Sequence, residues 1–228
     1  MLGLTSARIF NQYFDLEEDK TNHPKRPIPA GVISKRMALV ISGILWFVTF
    51  SISAIISITF FFLTLLLFII STTYSAPPLY IKKIFPLNNF SLAIFWGGIT
   101  LLWGAVTQKG DAPLEILFFF LIYEFFAINS KDYLDVKGDK TVNRTTLPIL
   151  VGKKNSLKVD MFCMSLPFLY GLATHSLLFY PSIYGFSVII IGYFIIFRYN
   201  KYKLLPLFAM INFMLLRVFL ILNKFIAP

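Results

Sequence analysis

Residues 37–74 read MALVISGILWFVTFSISAIISITFFFLTLLLFIISTTY, two apolar blocks that meet near Ser57 and contain no charged side chain. Each block approaches the ~20 residues with which an α-helix crosses the hydrocarbon core of a bilayer. The apolar residues are contiguous, so the strand-period alternation in segments of about ten residues that an outer-membrane barrel needs is absent. The same pattern recurs along the chain. The expected spans are Met37–Ile55, Ile58–Tyr74, Phe90–Thr107, Leu114–Ser130, Leu157–Leu178, Ile183–Phe197 and Leu205–Asn223. Composition agrees, with 57% hydrophobic, 18% aromatic and only 14% charged residues among 228, which argues against a soluble globular domain. The expected fold class is all-α, a polytopic transmembrane helical bundle of about seven complete spans plus a partial N-terminal helix. That partial helix is MLGLTSARIFNQYF, residues 1–14, too short to cross a bilayer.

The net charge of +10 reports topology rather than nucleic-acid binding, because the basic residues lie in short loops between apolar blocks. The loops at 15–36, 75–89, 131–156 and 198–203 fall on one side if the spans alternate, and hold 16 of the 21 basic residues. The opposite loops hold Lys109. By the positive-inside rule the basic side is cytoplasmic. The N-terminus lacks the basic start, apolar core and cleavage site of a secretory signal. The single cysteine, Cys163, lies inside an apolar block and reads as a small buried hydrophobe. Asn89 and Asn143 begin glycosylation sequons on the cytoplasmic side and read as accidental matches.

Seven of the eleven acidic residues fall in two short windows, both on the basic side. In the first, Asn11, Asp15 and Asp19 recur every four residues and share one face of a helix. In the second, Asp132, Asp135 and Asp139 do the same at i, i+3 and i+7. Asp15, Asp19, Lys20 and Thr21 recur 120 positions later as Asp135, Asp139, Lys140 and Thr141, the mark of an internal repeat. Four spans separate the windows, so both open on the same side of the membrane. Carboxylates sharing a pocket repel one another unless cations sit between them. A few hard oxygen ligands leave Mg²⁺ able to take further oxygens from a phosphorylated substrate. Lys20, Arg26, Lys82, Lys131, Lys140 and Arg144 are candidates to balance the remaining phosphate charge.

Asn11xxxAsp15xxxAsp19 followed by Asn22-His-Pro24-Lys-Arg26-Pro27-Ile-Pro29-Ala-Gly31 resembles the first signature of the UbiA superfamily of intramembrane prenyltransferases. Tyr74-Ser75-Ala-Pro77-Pro78-Leu-Tyr-Ile-Lys82-Lys83 is similar to that family's Tyr-Ser-x-Pro-Pro segment. Lys131-Asp132-x-x-Asp135-x-x-Gly138-Asp139 through Thr146-Leu147-Pro148-Ile-Leu-Val-Gly152 resembles the second signature. The resemblance implies a bundle of nine transmembrane helices around a central cavity capped on the cytoplasmic side. It also implies Mg²⁺-dependent transfer of a polyprenyl group from its diphosphate to a lipophilic acceptor, aromatic or of the glyceryl-phosphate type. Carried over by position, Asn11, Asp15, Asp19, Asp132, Asp135 and Asp139 hold the metal and diphosphate, the five aspartates being the catalytic set. Asn11, Arg26, Lys82, Tyr74 and Lys131 contact diphosphate, Tyr74 matching a tyrosine at the cavity mouth, with an interfacial anchor as its other reading. Gln12 and Tyr80 depart from common family residues. The chain reads as one domain, 1–228, without the family's first helix and part of its second.

Breaking an allylic C–O bond puts positive charge on carbon and negative charge on the departing diphosphate, so such a site has to stabilise the leaving group and exclude water. Phe14, Trp96, Trp103 and Phe126 are candidates to face the cation or simply to pack. Of the charged residues inside spans, Glu124 extends the polar face of Asp132, Asp160 sits near a helix N-terminus, and Arg217 snorkels or pairs structurally. His23 and His175 show no metal or triad spacing. Two other readings stay open on the residues alone: a transporter or ion-binding protein built on a parallel repeat, and a non-catalytic, shortened relative.

Overall fold

The computed structural model describes residues 1–107, 114–174, 179–212 and 214, and no strand occurs among them. Trp103's side chain, Lys109, His175 and Arg217 lie outside the described residues. The helices are α1 (Leu2–Phe14), α2 (Leu16–Asn22), α3 (Lys35–Ile56), α4 (Ile58–Ser75), α5 (Leu87–Ala93), α6 (Thr100–Thr107), α7 (Leu114–Ala127), α8 (Asn129–Thr141), α9 (Leu147–Val151), α10 (Lys153–Thr174) and α11 (Phe179–Tyr199). A π-helical stretch, Ile94–Ile99, joins α5 to α6.

Among the described residues, Lys35–Ile56, Ile58–Ser75, Leu87–Val106 and Phe179–Tyr199 are long and apolar enough to cross a membrane. They match four of the expected spans. The expected span at Leu114–Ser130 is the shorter helix α7, and the one at Leu157–Leu178 starts earlier, at Lys153, so its first two turns are polar. The last expected span is helical over 205–212, and the rest of it is outside the described residues except for position 214. Serines set the break between the first two spans. Ser57 is extended and its side chain accepts from the Phe60 N–H at 3.1 Å, capping α4, as Ser34 caps α3 through the Met37 N–H. Val40, Ile44, Phe47 and Ile55 of α3 and Phe62, Leu66 and Ile69 of α4 are exposed, a surface suited to lipid.

The chain divides into two compact units: Met1–Leu121 with Asp135–Thr146, and Ile122–Leu134 with the described residues from Leu147 onward. In the first unit α1 lies against α3 through small residues. The Ser6 hydroxyl donates to the Ser42 carbonyl at 2.7 Å while the Ser42 hydroxyl donates to the Ser6 carbonyl at 3.2 Å. A Cβ on Gly3 would come within 3.1 Å of Thr49 and 3.3 Å of Trp46, so the backbone approaches closely only because that position is glycine. Lipid chains are as apolar as leucine, so helices in a membrane are held by close packing and interhelical hydrogen bonds such as these. Around the seam, Ala7, Trp46, Leu67, Phe95 and Ile99 form a buried cluster, with Trp46 edge-on to Phe68 at 5.1 Å. In the second unit, Tyr123 of α7 packs edge-on against Phe168 of α10 at 5.5 Å, and its hydroxyl donates to the Ala209 carbonyl.

Ser6→Leu is expected to overpack this seam and cost about 1–3 kcal/mol, whereas Ser6→Ala, which only removes hydrogen bonds, costs about 0.6 kcal/mol. Thermal unfolding in detergent checks both, and an unchanged melting temperature in Ser6→Leu would contradict the packing described.

Candidate functional site

The first acidic window sits at the joint between α1 and α2. Asp15 occupies that joint, with φ −87° and ψ 7°. The i→i−4 bonds nevertheless run through it: the Asp15 N–H donates to the Asn11 carbonyl at 3.0 Å and the Asp19 N–H to the Asp15 carbonyl at 2.7 Å. The four-residue register therefore survives the joint. Asn11 Nδ2 donates to Ser75 Oγ at 3.1 Å, which ties α1 to the end of α4.

Each carboxylate here meets a cation. Asp15 is buried and ion-paired with Lys82, which is only 2% exposed. Asp19 is buried as well, and its Oδ1 accepts from Arg26 Nη1 at 2.6 Å. Glu18, one residue before Asp19, is buried against Arg144, with Oε1 3.1 Å from Nη1. The same Nη1 is 3.6 Å from Asp139 Oδ1, and Arg144 Nη2 donates to the Tyr74 hydroxyl at 3.5 Å. Tyr74 is buried within the first unit.

The loop after α4 delivers Lys82. It contains a cis Pro77–Pro78 bond and a left-handed Tyr80 (φ 47°), then a short 3-10 turn over Ile81–Lys83. Lys82 and Lys83 place their ammonium groups 4.8 and 4.6 Å from the Tyr80 ring, close enough for cation–π attraction. The Tyr80 hydroxyl donates to the Phe14 carbonyl at 3.3 Å, next to Asp15. Burial and the Glu18 charge push this phenol above its ordinary pKa, keeping it a neutral donor. Tyr80, a departure from the family pattern, here fastens the lysine loop to the end of α1.

The second window is helical, on α8, as its spacing requires. Its later part belongs to the first unit and is gripped by the end of α2. Asn22 Nδ2 donates to the Asp135 carbonyl at 3.0 Å, and the Gly138 N–H donates to Asn22 Oδ1 at 2.9 Å. His23 Nε2 lies 3.2 Å from Asp135 Oδ1. Pro24 disfavours helical backbone at His23, so α2 stops at Asn22 and presents both side chains at its end. Contacts within the first unit thus link Asn11, Asp15, Asp19, Arg26, Tyr74, Lys82, Asp135 and Asp139.

Lys131 and Asp132 lie on the part of α8 that belongs to the second unit, where Lys131 Nζ donates to the buried Asp132 at 2.6 Å. In that unit Asp160 is two turns inside α10, because the helix begins at Lys153. The helix dipole, which fades within the first turn, therefore does not hold it. Asn129 donates to Asp160 Oδ1 at 2.7 Å and Tyr133 to Oδ2 at 2.7 Å, with Ser156 Oγ 3.4 Å away. Burial and the Asp160 charge push the Tyr133 phenol up. Glu124 is buried on α7 and Cys163 is half-buried on α10. Phe126 lines a small cavity of about 20 Å³ that also includes Asp160, Met161 and Asn212.

Other candidates are placed elsewhere. Lys20 pairs with Glu17 on the exposed side of α2, and Lys140 is exposed. Phe14 packs among Phe10, Tyr13 and Tyr80, and Trp96 packs against Phe95. Asn89 is fully buried, consistent with an accidental sequon. Three residues with structural weight, Glu18, Asn22 and His23, carried no expected role. Glu18 was within reach of pattern reading, since it lies three residues after Asp15 on the same face.

Among the described residues, no three carboxylate, imidazole or thiol groups of the first unit converge as a ready-made metal site. The donor set still fits a hard divalent cation. Asp19 Oδ2 is buried with no hydrogen-bond partner among the described residues, while Asp19 Oδ1 is satisfied by Arg26. An oxygen left in that condition is available as a ligand, and Asn11, Asp15 and Asp135 add the oxygen donors that Mg²⁺ prefers.

Known proteins resemble this chain in sequence and in fold. A digeranylgeranylglyceryl phosphate synthase of Thermococcus gammatolerans is 33% identical over 195 residues, an alignment spanning 85% of this chain but 65% of that protein. The chain thus spans about two thirds of this relative's length. Among solved structures, the apo form of a UbiA homologue from Aeropyrum pernix superposes with a TM-score of 0.78 at 17% identity, covering 97% of this chain and 86% of that one. A UbiA homologue from Archaeoglobus fulgidus bound to DMAPP and Mg²⁺ superposes with a TM-score of 0.71 at 19% identity, covering 95% and 87%. At these identities the likeness is one of fold. Residues 1–218 match the profile of the UbiA prenyltransferase family, and with its signature carboxylates, lysine loop and helical architecture the chain belongs to that family.

Proposed function

We propose that this chain transfers a polyprenyl group from an allylic diphosphate to the hydroxyl of a glyceryl-phosphate-type acceptor, at the cytoplasmic face of a membrane and with Mg²⁺. The observation that carries this reading is the set of buried carboxylate–cation pairs in the first unit: Asp15 with Lys82, Asp19 with Arg26, and Glu18 and Asp139 with Arg144. Such a cluster holds both the oxygen donors for a divalent metal and the cations for a diphosphate. The acceptor class is supported by the Thermococcus relative's name, and the donor class and metal by the Archaeoglobus homologue's ligands. The cytoplasmic orientation rests on the concentration of Lys and Arg in the loops on this side.

In this reading Asn11, Asp15, Asp19, Asp135 and Asp139 would hold the metal. When bound, Mg²⁺ supplies Lewis-acid stabilisation of the charge on the leaving diphosphate. Lys82, Arg26 and Arg144, relieved of their carboxylate partners, would turn their positive charge to the diphosphate oxygens. Tyr74 orients Arg144, and Asn11 bridges to Ser75. The bond between the allylic C1 and the diphosphate oxygen breaks, and its electron pair stays with that oxygen. The acceptor hydroxyl oxygen bonds to C1 and loses its proton to water, leaving an ether and diphosphate. The ether forms only if other water is kept from capturing the allylic cation.

Purified protein offered geranylgeranyl diphosphate and geranylgeranylglyceryl phosphate should release diphosphate only with Mg²⁺. Asp15→Asn and Asp135→Asn should each lower turnover by at least about 100-fold, and Asp15→Asn should also lower stability because it takes the carboxylate from buried Lys82. Full activity in either variant would overturn the metal assignment. Arg26→Gln should lower kcat/KM by about 10²–10³ and cost some stability, because it takes the cation from buried Asp19; wild-type kinetics there would remove Arg26 from the site.

A further inference from the structure

Asp19 lies on α2 and Asp135 and Asp139 lie on α8, and one side chain bridges these two helices by gripping backbone. Asn22 donates through Nδ2 to the Asp135 carbonyl at 3.0 Å and accepts through Oδ1 from the Gly138 N–H at 2.9 Å. A carboxamide carries a donor and an acceptor side by side, which suits it to hold one carbonyl and one N–H of the same helix turn. The approach is so close that a Cβ at Gly138 would occupy the space of Asn22 Cγ, Oδ1 and Nδ2. Gly138 does not have positive φ, so backbone strain does not call for glycine there; the proximity of Asn22 does. The clamp lies three residues after Asp19 on one side and between Asp135 and Asp139 on the other.

We infer that Asn22 is a positioning residue that fixes the separation of the α2 and α8 carboxylates, and that Gly138 exists to admit it. The inference rests on the reading of the site as a metal–diphosphate centre. Asn22 touches neither metal nor substrate; it sets how far Asp19 stands from Asp135 and Asp139. Mg²⁺ demands near-ideal octahedral geometry at short distance, whereas Ca²⁺ accepts longer and less regular coordination. A fixed separation therefore favours Mg²⁺, and a loosened one relaxes that preference.

The test has two arms. In the first, calorimetry measures binding of inorganic pyrophosphate to the purified full chain with Mg²⁺ or with Ca²⁺. Asn22→Ala and Gly138→Ala should each weaken Mg²⁺-supported binding by about 10- to 100-fold, the usual effect of losing a group that orients metal ligands. Ca²⁺-supported binding should change far less, so the preference for Mg²⁺ collapses, which a purely structural defect would not produce. In the second, metal-free melting temperatures form a double-mutant cycle. Gly138→Ala should destabilise the wild-type protein by expelling Asn22, yet stabilise the Asn22→Ala protein, because alanine is the better helix former once the clamp is gone. Unchanged Mg²⁺ preference in both variants, or Gly138→Ala destabilising both backgrounds equally, would overturn the clamp. Wild-type protein that binds no pyrophosphate with either ion would overturn the site reading beneath it, a result the metal-free cycle keeps distinct.

Discussion

A carboxylate taken out of water beside an apolar bundle has to find a positive charge, because the desolvation of an unpaired ion exceeds what packing returns. In the first unit Asp15, Glu18, Asp19 and Asp139 are all buried, and Lys82, Arg26 and Arg144 are drawn in to meet them. Much of the surrounding structure follows from that requirement. The lysine loop folds back to place Lys82, Tyr80 fastens it to Phe14, and the Thr145 N–H donates to the Lys83 carbonyl at 2.9 Å, joining the segment after α8 to the same loop. The four buried carboxylates face three cations, because Arg144 serves both Glu18 and Asp139, so the cluster keeps an excess of negative charge. The ion pairs also define what a diphosphate with its metal has to replace, carboxylate by carboxylate and cation by cation.

The apolar surroundings obey a different rule. Within lipid, α1 gains little by hiding hydrophobic side chains, so its hold on α3 depends on Gly3, Ser6 and Ala7 and on the reciprocal Ser6–Ser42 hydrogen bonds. That seam positions the end of α1, where Asn11 meets Ser75 and Asp15 meets Lys82. Small residues inside the membrane and charges at its edge are thus two parts of one placement problem.

Helices and their partners were readable from sequence to different degrees. Contiguous apolar runs announce α3, α4 and α11, since burial in lipid leaves a signal in every residue. Polar first turns hid the true start of α10 at Lys153, and with it the setting of Asp160, which is held by Asn129 and Tyr133 instead of a helix end. At the site, regular spacing exposed Asp15, Asp19, Asp135 and Asp139. Glu18 falls off the four-residue step of Asn11, Asp15 and Asp19 and joins their face only through the three-residue step from Asp15. Asn22 and His23 left no periodic signal at all: their partners are more than a hundred residues away, and a side chain gripping a distant backbone carbonyl has no signature in local pattern. Tyr80 read as an oddity for the same reason, its role being set by Phe14 and by two lysine side chains folded over its ring.

The central claim is that carboxylates from both windows hold one metal against a diphosphate. Substituting Mn²⁺ for Mg²⁺ and measuring the hyperfine coupling between bound Mn²⁺ and the phosphorus nuclei of pyrophosphate tests this directly. The account predicts a resolved phosphorus coupling in the wild-type protein that vanishes when either Asp15 or Asp135 is replaced by asparagine. A coupling that persists unchanged in both variants would contradict it, since the metal and diphosphate would then be held without these carboxylates.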